Sequence, residues 1–108
     1  MPDKDILDKV FEVIESRKAA APDRSYVAGL FAAGPEKMNA KILEEANEVC
    51  QASLENDQPH LVSELCDLMF HAFVLAVHRG VTLEQIRQVF RQRFGTSGLL
   101  EKARRSGQ

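Results

Sequence analysis

Hydrophobic residues recur every three or four positions along most of the chain, which is the spacing that places them on one face of an α-helix. This pattern predicts a first helix from Asp5 to about Ala21, and Pro22 ends it because proline disfavours helical conformation in the preceding residue. Residues 23–31 are predicted to form one or two helical turns. The sequence contains no strand pattern, so the predicted class is all-α.

A third helix is predicted from Pro35, which suits the first helical position, to about Asn56. One arc of this helix, about 160° wide, is hydrophobic. It contains Met38, Ile42, Leu43, Ala46, Val49, Cys50 and Leu54. The opposite arc holds five charged residues, which are Lys37, Lys41, Glu44, Glu45 and Glu48. Taken alone, such a charged arc is typical of a solvent-exposed helix surface.

The fourth predicted helix runs from Leu61 to Val77, after a tight connection at residues 56–59, and is apolar on nearly every side. Its polar residues form one narrow stripe of Glu64, Asp67, His71 and His78. A helix of this kind is expected to be buried on nearly every side, which in so short a chain favours a partner subunit. Its carboxylates then need a cation or a metal, because an unpaired buried charge is costly.

The two long helices are predicted to form an antiparallel hairpin. Glu45 and Glu48 centre about ten residues before the turn, and Glu64 and Asp67 about nine after it, so at ~1.5 Å per residue their depths match closely. Four carboxylates at one level repel one another unless a cation binds between them. The sequence therefore predicts a helical bundle built on an antiparallel helix hairpin, completed by dimerisation, with a cation site inside the hairpin.

Beyond the hairpin, Gly80 is predicted to end the fourth helix. Thr82 and Gln85 form a capping box that begins a fifth helix, which continues to Phe94. A flexible break at residues 95–98 precedes a short basic tail helix at residues 99–105.

The chain of 108 residues is predicted to be a single domain, residues 1–108, and its net charge of −2 gives no indication of nucleic-acid binding. No signal peptide is expected from its first residues, and because it has no uncharged apolar run of about eighteen residues, no membrane span is expected either. Cys50 and Cys66 are expected to be reduced core residues of a cytoplasmic protein, with a disulfide as the alternative.

All-oxygen ligands point to Mg²⁺, with Mn²⁺ as the alternative, because softer metals prefer Cys or His. A di-iron bundle would need Glu-x-x-His motifs, which neither carboxylate pair supplies. Mg²⁺ held by carboxylates usually binds substrate phosphates, so the predicted chemistry is hydrolysis of a phosphoanhydride. Lys37 and Lys41 either bind phosphate or pair with neighbouring glutamates. His71 either supports the ligands or only packs between helices.

Glu45-x-x-Glu48 followed by Glu64-x-x-Asp67 resembles the signature of the all-α nucleotide pyrophosphohydrolases, the MazG-like superfamily. Within it, the flanking segments are similar to the phosphoribosyl-ATP pyrophosphohydrolase family of histidine biosynthesis. These segments are Ser25-Tyr26, Leu30-Phe31, Leu68-x-x-His71, Arg79-Gly80-Val81-Thr82-Leu83 and Arg93-Phe94-Gly95-x-x-Gly98-Leu99-x-Glu101-Lys102. The resemblance runs from about Phe11 to Arg105. Leu43 departs from it, since the family commonly has glycine there.

The resemblance implies Mg²⁺-dependent hydrolysis of the α–β phosphoanhydride of phosphoribosyl-ATP, a small nucleotide, to phosphoribosyl-AMP and pyrophosphate. It also implies a homodimer. The implied metal ligands are Glu45, Glu48, Glu64 and Asp67. Glu44, Glu45 and Glu48 are the implied catalytic acids, Lys41 is the implied phosphate contact, and Lys37 lies beside it as a second candidate. Two other functions stay open: a house-cleaning hydrolase of free nucleoside triphosphates, and a non-enzymatic helical dimer.

Overall fold

A computed structural model describes residues 4–95, which form five helices and no strand. The helices are α1 (Ile6–Ser16), α2 (Tyr26–Ala33), α3 (Pro35–Ala52), α4 (Gln58–His78) and α5 (Leu83–Phe94). The all-α prediction is therefore confirmed over these residues. The predicted tail helix at residues 99–105 lies outside them.

Side-chain caps fix where the helices begin. Thr82 and Gln85 form the predicted capping box, in which each backbone N–H donates to the other residue's side chain, at 2.9 and 3.1 Å. Asp5 caps α1 in the same way through Asp8. Ser25 and Asp57 cap α2 and α4 with their side-chain oxygens. Gly34 joins α2 to α3 at φ 94°, a left-handed backbone that a residue with a Cβ rarely adopts.

Two helices end earlier than predicted, and serine accounts for both ends. The Ser16 hydroxyl donates to the Val13 carbonyl at 2.6 Å, so the Arg17 N–H turns to Ile14 instead. At the end of α3, the Ser53 hydroxyl donates to the Cys50 carbonyl, also at 2.6 Å. Such side-chain bonds compete with the helical ladder. The predicted ends near Ala21 and Asn56 are therefore wrong by several residues.

The α3–α4 hairpin is the centre of the fold, with α1 packed on α4 and α2 packed on α3. One core joins all five helices and consists of Phe11, Ile14, Val27, Leu30, Met38, Val74, Val77 and Leu83. Arg87 also ties α5 to α1, because its guanidinium donates to Asp8 at 2.8 Å and to Asp5 at 2.9 Å. This hydrogen bonding from Arg87 holds the pKa of Asp8 below its usual value.

The charged arc of helix α3 is partly buried, whereas a charged arc is expected to be exposed to solvent. Glu45, in that arc, is only 7% exposed, whereas Leu43, in the hydrophobic arc, is 71% exposed. Leu54 and Cys50 are exposed as well. The buried side of α3 runs through Met38, Glu45 and Ala52, so the boundary between the two arcs contacts the hairpin partner. The charged arc is therefore not a solvent-exposed surface throughout.

Helix α4 is covered on one side only in the single chain. Its buried residues are His71, Val74 and Val77, whereas Val62, Leu65 and Met69 remain exposed. Cys66 lies exposed between them, so the expectation that both cysteines are core residues is wrong, and both are free thiols. Burial on nearly every side is thus not reached within one copy, because the packing of α1 and α3 leaves the side with Val62, Leu65 and Met69 uncovered.

Among residues 4–95, α4 is also the one helix long and apolar enough to cross a membrane by length and composition. Two carboxylates, Glu64 and Asp67, lie within this apolar length, and charges of this kind are the reason that no membrane span is expected from the sequence. The core helix of a soluble protein can have the same length and composition.

The orientation of α3 predicts unequal effects of two truncations. Met38→Ala should lower the free energy of unfolding by about 2–5 kcal/mol, because Met38 is 1% exposed and its loss leaves a cavity. Leu43→Ala, five residues along the same helix, should change it by less than about 0.5 kcal/mol. Urea unfolding at one fixed protein concentration measures both values. Equal losses for the two variants would contradict the orientation described here.

Candidate metal centre

Three glutamates from the two hairpin helices converge on one point. Glu45 and Glu48 extend from adjacent turns of α3, and Glu64 extends from α4. One carboxylate oxygen from each lies within 4.8 Å of the others. The hairpin therefore brings together three of the four carboxylates predicted to bind a metal, at the depth that their distance from the turn indicated.

Two oxygens in this cluster are buried and lack a hydrogen-bond partner among residues 4–95. They are Oε2 of Glu45 and Oε2 of Glu64. Buried polar atoms in native proteins almost always have a partner, since leaving one unsatisfied is unfavourable. Hard carboxylate oxygens are the ligands that Mg²⁺ and Mn²⁺ prefer. The donor set and its unsatisfied oxygens fit a divalent cation.

The proximity of like charges alters proton binding in the cluster. Burial is the main cause of a raised pKa at Glu45, and the neighbouring Glu48 carboxyl raises it further. The close approach of the Glu48 carboxyl, followed by burial, raises the pKa of Glu64. Both shifts have the direction expected when like charges are brought together away from water.

Lys41 lies beside the cluster and contacts two glutamates. Its Nζ donates to Oε2 of Glu44 at 3.0 Å and lies 3.9 Å from Oε1 of Glu45. The hydrogen bond from Lys41 lowers the pKa of Glu44, whose side chain is half-exposed, and the charge of Lys37 lowers it further. Ion pairing of Lys41 with the glutamates is therefore present, and phosphate binding by Lys37 and Lys41 stays a prediction.

Asp67 lies near the cluster without joining it. Asp67 is exposed, and its carboxylate is not part of the cluster formed by Glu45, Glu48 and Glu64. Its negative charge nevertheless contributes to the raised pKa values of Glu45 and Glu64. Asp67 as a metal ligand stays a prediction, as do the catalytic roles of Glu44, Glu45 and Glu48.

His71 and Tyr26 connect α4 to α2 next to the cluster. His71 is buried, and its Nδ1 donates to the Asp67 backbone carbonyl at 2.8 Å. Its Nε2 is then the acceptor for the Tyr26 hydroxyl, also at 2.8 Å. The contact between His71 and Asp67 could be found from the sequence, because residues four positions apart lie on the same face of a helix. Tyr26 was not identified as its partner from the sequence.

His60 contacts the cluster from the start of α4 and was not identified from the sequence. Its Nδ1 lies 2.7 Å from Oε1 of Glu55, and its Nε2 lies 3.3 Å from Oε1 of Glu64. Hydrogen bonding with Glu55 is the main cause of the raised pKa of His60. The four-residue spacing between His60 and Glu64 is the signal that would have found this contact.

The fold and the cluster together indicate a class of protein, an all-α enzyme whose carboxylates suit a divalent cation. Comparison with known proteins narrows this class. Residues 7–94 match the family model described as phosphoribosyl-ATP pyrophosphohydrolase. The chain is 45% identical over 105 residues to a protein of Nitrosospira multiformis named phosphoribosyl-ATP pyrophosphatase, covering 97% of this chain and 87% of that one.

Two further relatives carry the same name. A protein of Chromobacterium violaceum is 43% identical over 94% of both chains, and one of Cereibacter sphaeroides is 42% identical over 93% of this chain and 97% of its own. The chain belongs to the phosphoribosyl-ATP pyrophosphohydrolase family. It is therefore a hydrolase, which confirms the resemblance that the carboxylate motifs suggested.

The raised pKa values predict how pH and metal act on stability. Glu45 and Glu64 bind protons more tightly when folded, so the metal-free protein should lose stability as the pH rises from about 4.5 through their raised pKa values. Mn²⁺ should raise the melting temperature more at pH 8 than at pH 5, because the ligands must be deprotonated. Thermal melts with and without Mn²⁺ measure both effects.

Two variants control this experiment. Glu45→Gln should weaken the pH dependence and the stabilisation by Mn²⁺. Glu36→Gln, which alters an exposed carboxylate in the first turn of α3, should preserve both. Equal stabilisation of the wild type and Glu45→Gln by Mn²⁺ would place the cation somewhere else.

Proposed function

We propose that this chain hydrolyses the α–β phosphoanhydride of phosphoribosyl-ATP to phosphoribosyl-AMP and pyrophosphate, in L-histidine biosynthesis, with Mg²⁺ or Mn²⁺. The observation that carries the proposal is the pair of buried, unpartnered oxygens of Glu45 and Glu64 in a chain of this family. The names of the relatives supply the substrate. The metal would be held by Glu45, Glu48, Glu64 and Asp67.

The side chains hold the metal, bind phosphate or accept a proton in this proposal, and Glu45 and Glu48 take part in both the first and the last of these tasks. A bound Mg²⁺ supplies neutralisation of phosphate charge and lowers the pKa of bound water. Lys41 and Lys37 bind phosphate oxygens, and Lys41 can do so by exchanging its hydrogen bond with Glu44 for one with the substrate. Glu44, Glu45 and Glu48 provide the carboxylate that takes the proton from the attacking water. The water oxygen bonds to phosphorus as the bridging P–O bond breaks.

Substitution of one carboxylate tests this chemistry. Glu48→Gln should reduce the rate of pyrophosphate release from phosphoribosyl-ATP by about 10²–10⁴-fold, the usual contribution of a positioned acid or base. Glu36→Gln should keep the wild-type rate. Wild-type protein should also act on phosphoribosyl-ATP far faster than on deoxynucleoside triphosphates. The opposite substrate preference would favour a house-cleaning enzyme, and an active Glu48→Gln would refute the catalytic role.

The working unit is proposed to be a homodimer. Val62, Leu65, Cys66 and Met69 form an exposed apolar strip along α4, which we call the α4 strip. Ile6 and Val13 of α1 are exposed beside it, and Ile6 lines a groove together with Met69. A second copy presents the same apolar surface, so two-fold association buries both at once. This would complete the burial that the composition of α4 requires.

Charged substitutions distinguish this surface from other exposed apolar residues. Leu65→Lys in the α4 strip should shift the protein from dimer to monomer in sedimentation velocity at micromolar concentration, because a buried unpaired lysine is costly. Leu54→Lys, which alters an exposed leucine just after α3, should leave the dimer intact. A wild-type protein that sediments as a folded monomer would refute the dimer.

The remaining proposals concern the setting of the enzyme. We propose a single catalytic domain over residues 1–108, cytoplasmic, without nucleic-acid or membrane partners. The small net charge supports the first exclusion. Glu64 and Asp67 on α4 support the second, since carboxylates are costly within a bilayer.

A further inference from the structure

The two oxygens of Glu64 have different surroundings. Its Oε1 lies 3.3 Å from Nε2 of His60, one helical turn earlier on α4. Its Oε2 is buried within the hairpin and lacks a partner among the described residues. The carboxylate is therefore held at one oxygen, and its other oxygen is left available to the three-glutamate cluster.

His60 is itself fixed at two points. Its ring Nδ1 lies 2.7 Å from Oε1 of Glu55, in the connection between α3 and α4. Its backbone N–H donates to Oδ1 of Asp57, the N-cap of α4, at 3.1 Å. Contacts with the turn of the hairpin thus define the position of the ring. The ring in turn restricts the position of the Glu64 carboxylate through the contact of Nε2 with Oε1.

The same arrangement occurs on the other helix of the hairpin. Lys41 precedes Glu45 by four residues, as His60 precedes Glu64, and its Nζ lies 3.9 Å from Oε1 of Glu45. Oε2 of Glu45 is the other buried, unpartnered oxygen. On both helices a nitrogen-bearing side chain contacts Oε1 of the glutamate, which we call the outer oxygen. The inner oxygen, Oε2, has no partner among the described residues.

We propose that His60, held by Glu55, is a positioning residue that fixes the carboxylate of Glu64 so that Oε2 is presented to the divalent cation. The inference rests on the proposed metal centre and assigns the residue that prepares one of its ligands. Partners that orient metal ligands change metal affinity by about 10–100-fold when they are removed. A side chain that acts only as a nearby cation would do the opposite, because its removal would strengthen cation binding.

Binding of Mn²⁺ alone, measured by the electron paramagnetic resonance signal of free Mn²⁺, tests the assignment without substrate. His60→Leu should raise the Kd for Mn²⁺ about tenfold or more. His60→Gln retains a donor and should bind within a few-fold of the wild type. The His60 side chain is 43% exposed, so neither change removes a core contact. His78→Gln is the matched control, about 21 Å along the same helix from Glu64, and should leave the Kd unchanged.

A kinetic measurement separates positioning from a direct role in the reaction. With phosphoribosyl-ATP, His60→Leu should need more Mn²⁺ for half-maximal pyrophosphate release and should regain the wild-type kcat at saturating Mn²⁺. A kcat that stays low at saturation would overturn the assignment, because His60 would then act in the reaction itself.

Glu64→Gln distinguishes failure of this inference from failure of the metal centre. If Glu64→Gln weakens Mn²⁺ binding and His60→Leu does not, or binds more tightly, the positioning role is refuted and the metal centre stands. Equal weakening by His60→Gln and His60→Leu would also refute it, since the donor would then be irrelevant. If Glu64→Gln leaves the affinity unchanged, both proposals fall together.

Discussion

Mutual repulsion among Glu45, Glu48 and Glu64 is the constraint on which the rest of this structure depends. Carboxylates inside a helix hairpin would normally separate or remain protonated, and the raised pKa values of Glu45 and Glu64 express that tendency. The protein holds them together through the packing of α3 against α4 and through nitrogen-bearing side chains at the outer oxygens. Among residues 4–95, Oε2 of Glu45 and Oε2 of Glu64 have no hydrogen-bond partner, and a divalent cation is most favourable beside them.

The other helices keep the hairpin in this arrangement. Tyr26 connects α2 to α4 through His71, whose second nitrogen is bonded to the backbone of Asp67. At the opposite end of the chain, Arg87 of α5 binds the two aspartates that cap α1. Because α1 packs on α4, this contact supports the hairpin from its far side. The polar connections thus lie around the hairpin, and the core fills the space between them.

Much of the fold and the central acids of the site could be predicted, because both follow from periodicity. Glu64 stood out since so little else on α4 is polar, and its distance from the turn matched that of Glu45 and Glu48. The orientation of α3 could not be predicted, because Met38 and Leu43 lie near the two edges of one hydrophobic arc and only tertiary packing shows which edge is buried. The ends set by Ser16 and Ser53 depend on hydroxyl bonds that composition does not reveal. His60 was missed although its four-residue spacing from Glu64 was visible, because its contact with Glu55 forms only when the connection between α3 and α4 folds.

The short connection between α3 and α4 has a consequence for how the chain folds. Only residues 53–57 separate the two helices, so the three clustered glutamates lie within residues 45–64. Contacts between nearby parts of a chain form early, since little loop entropy is lost in closing them. We therefore expect the like charges to meet before the distant contacts of α5 with α1 can support the hairpin. A cation that binds the cluster would accelerate folding of the chain as well as stabilise its product.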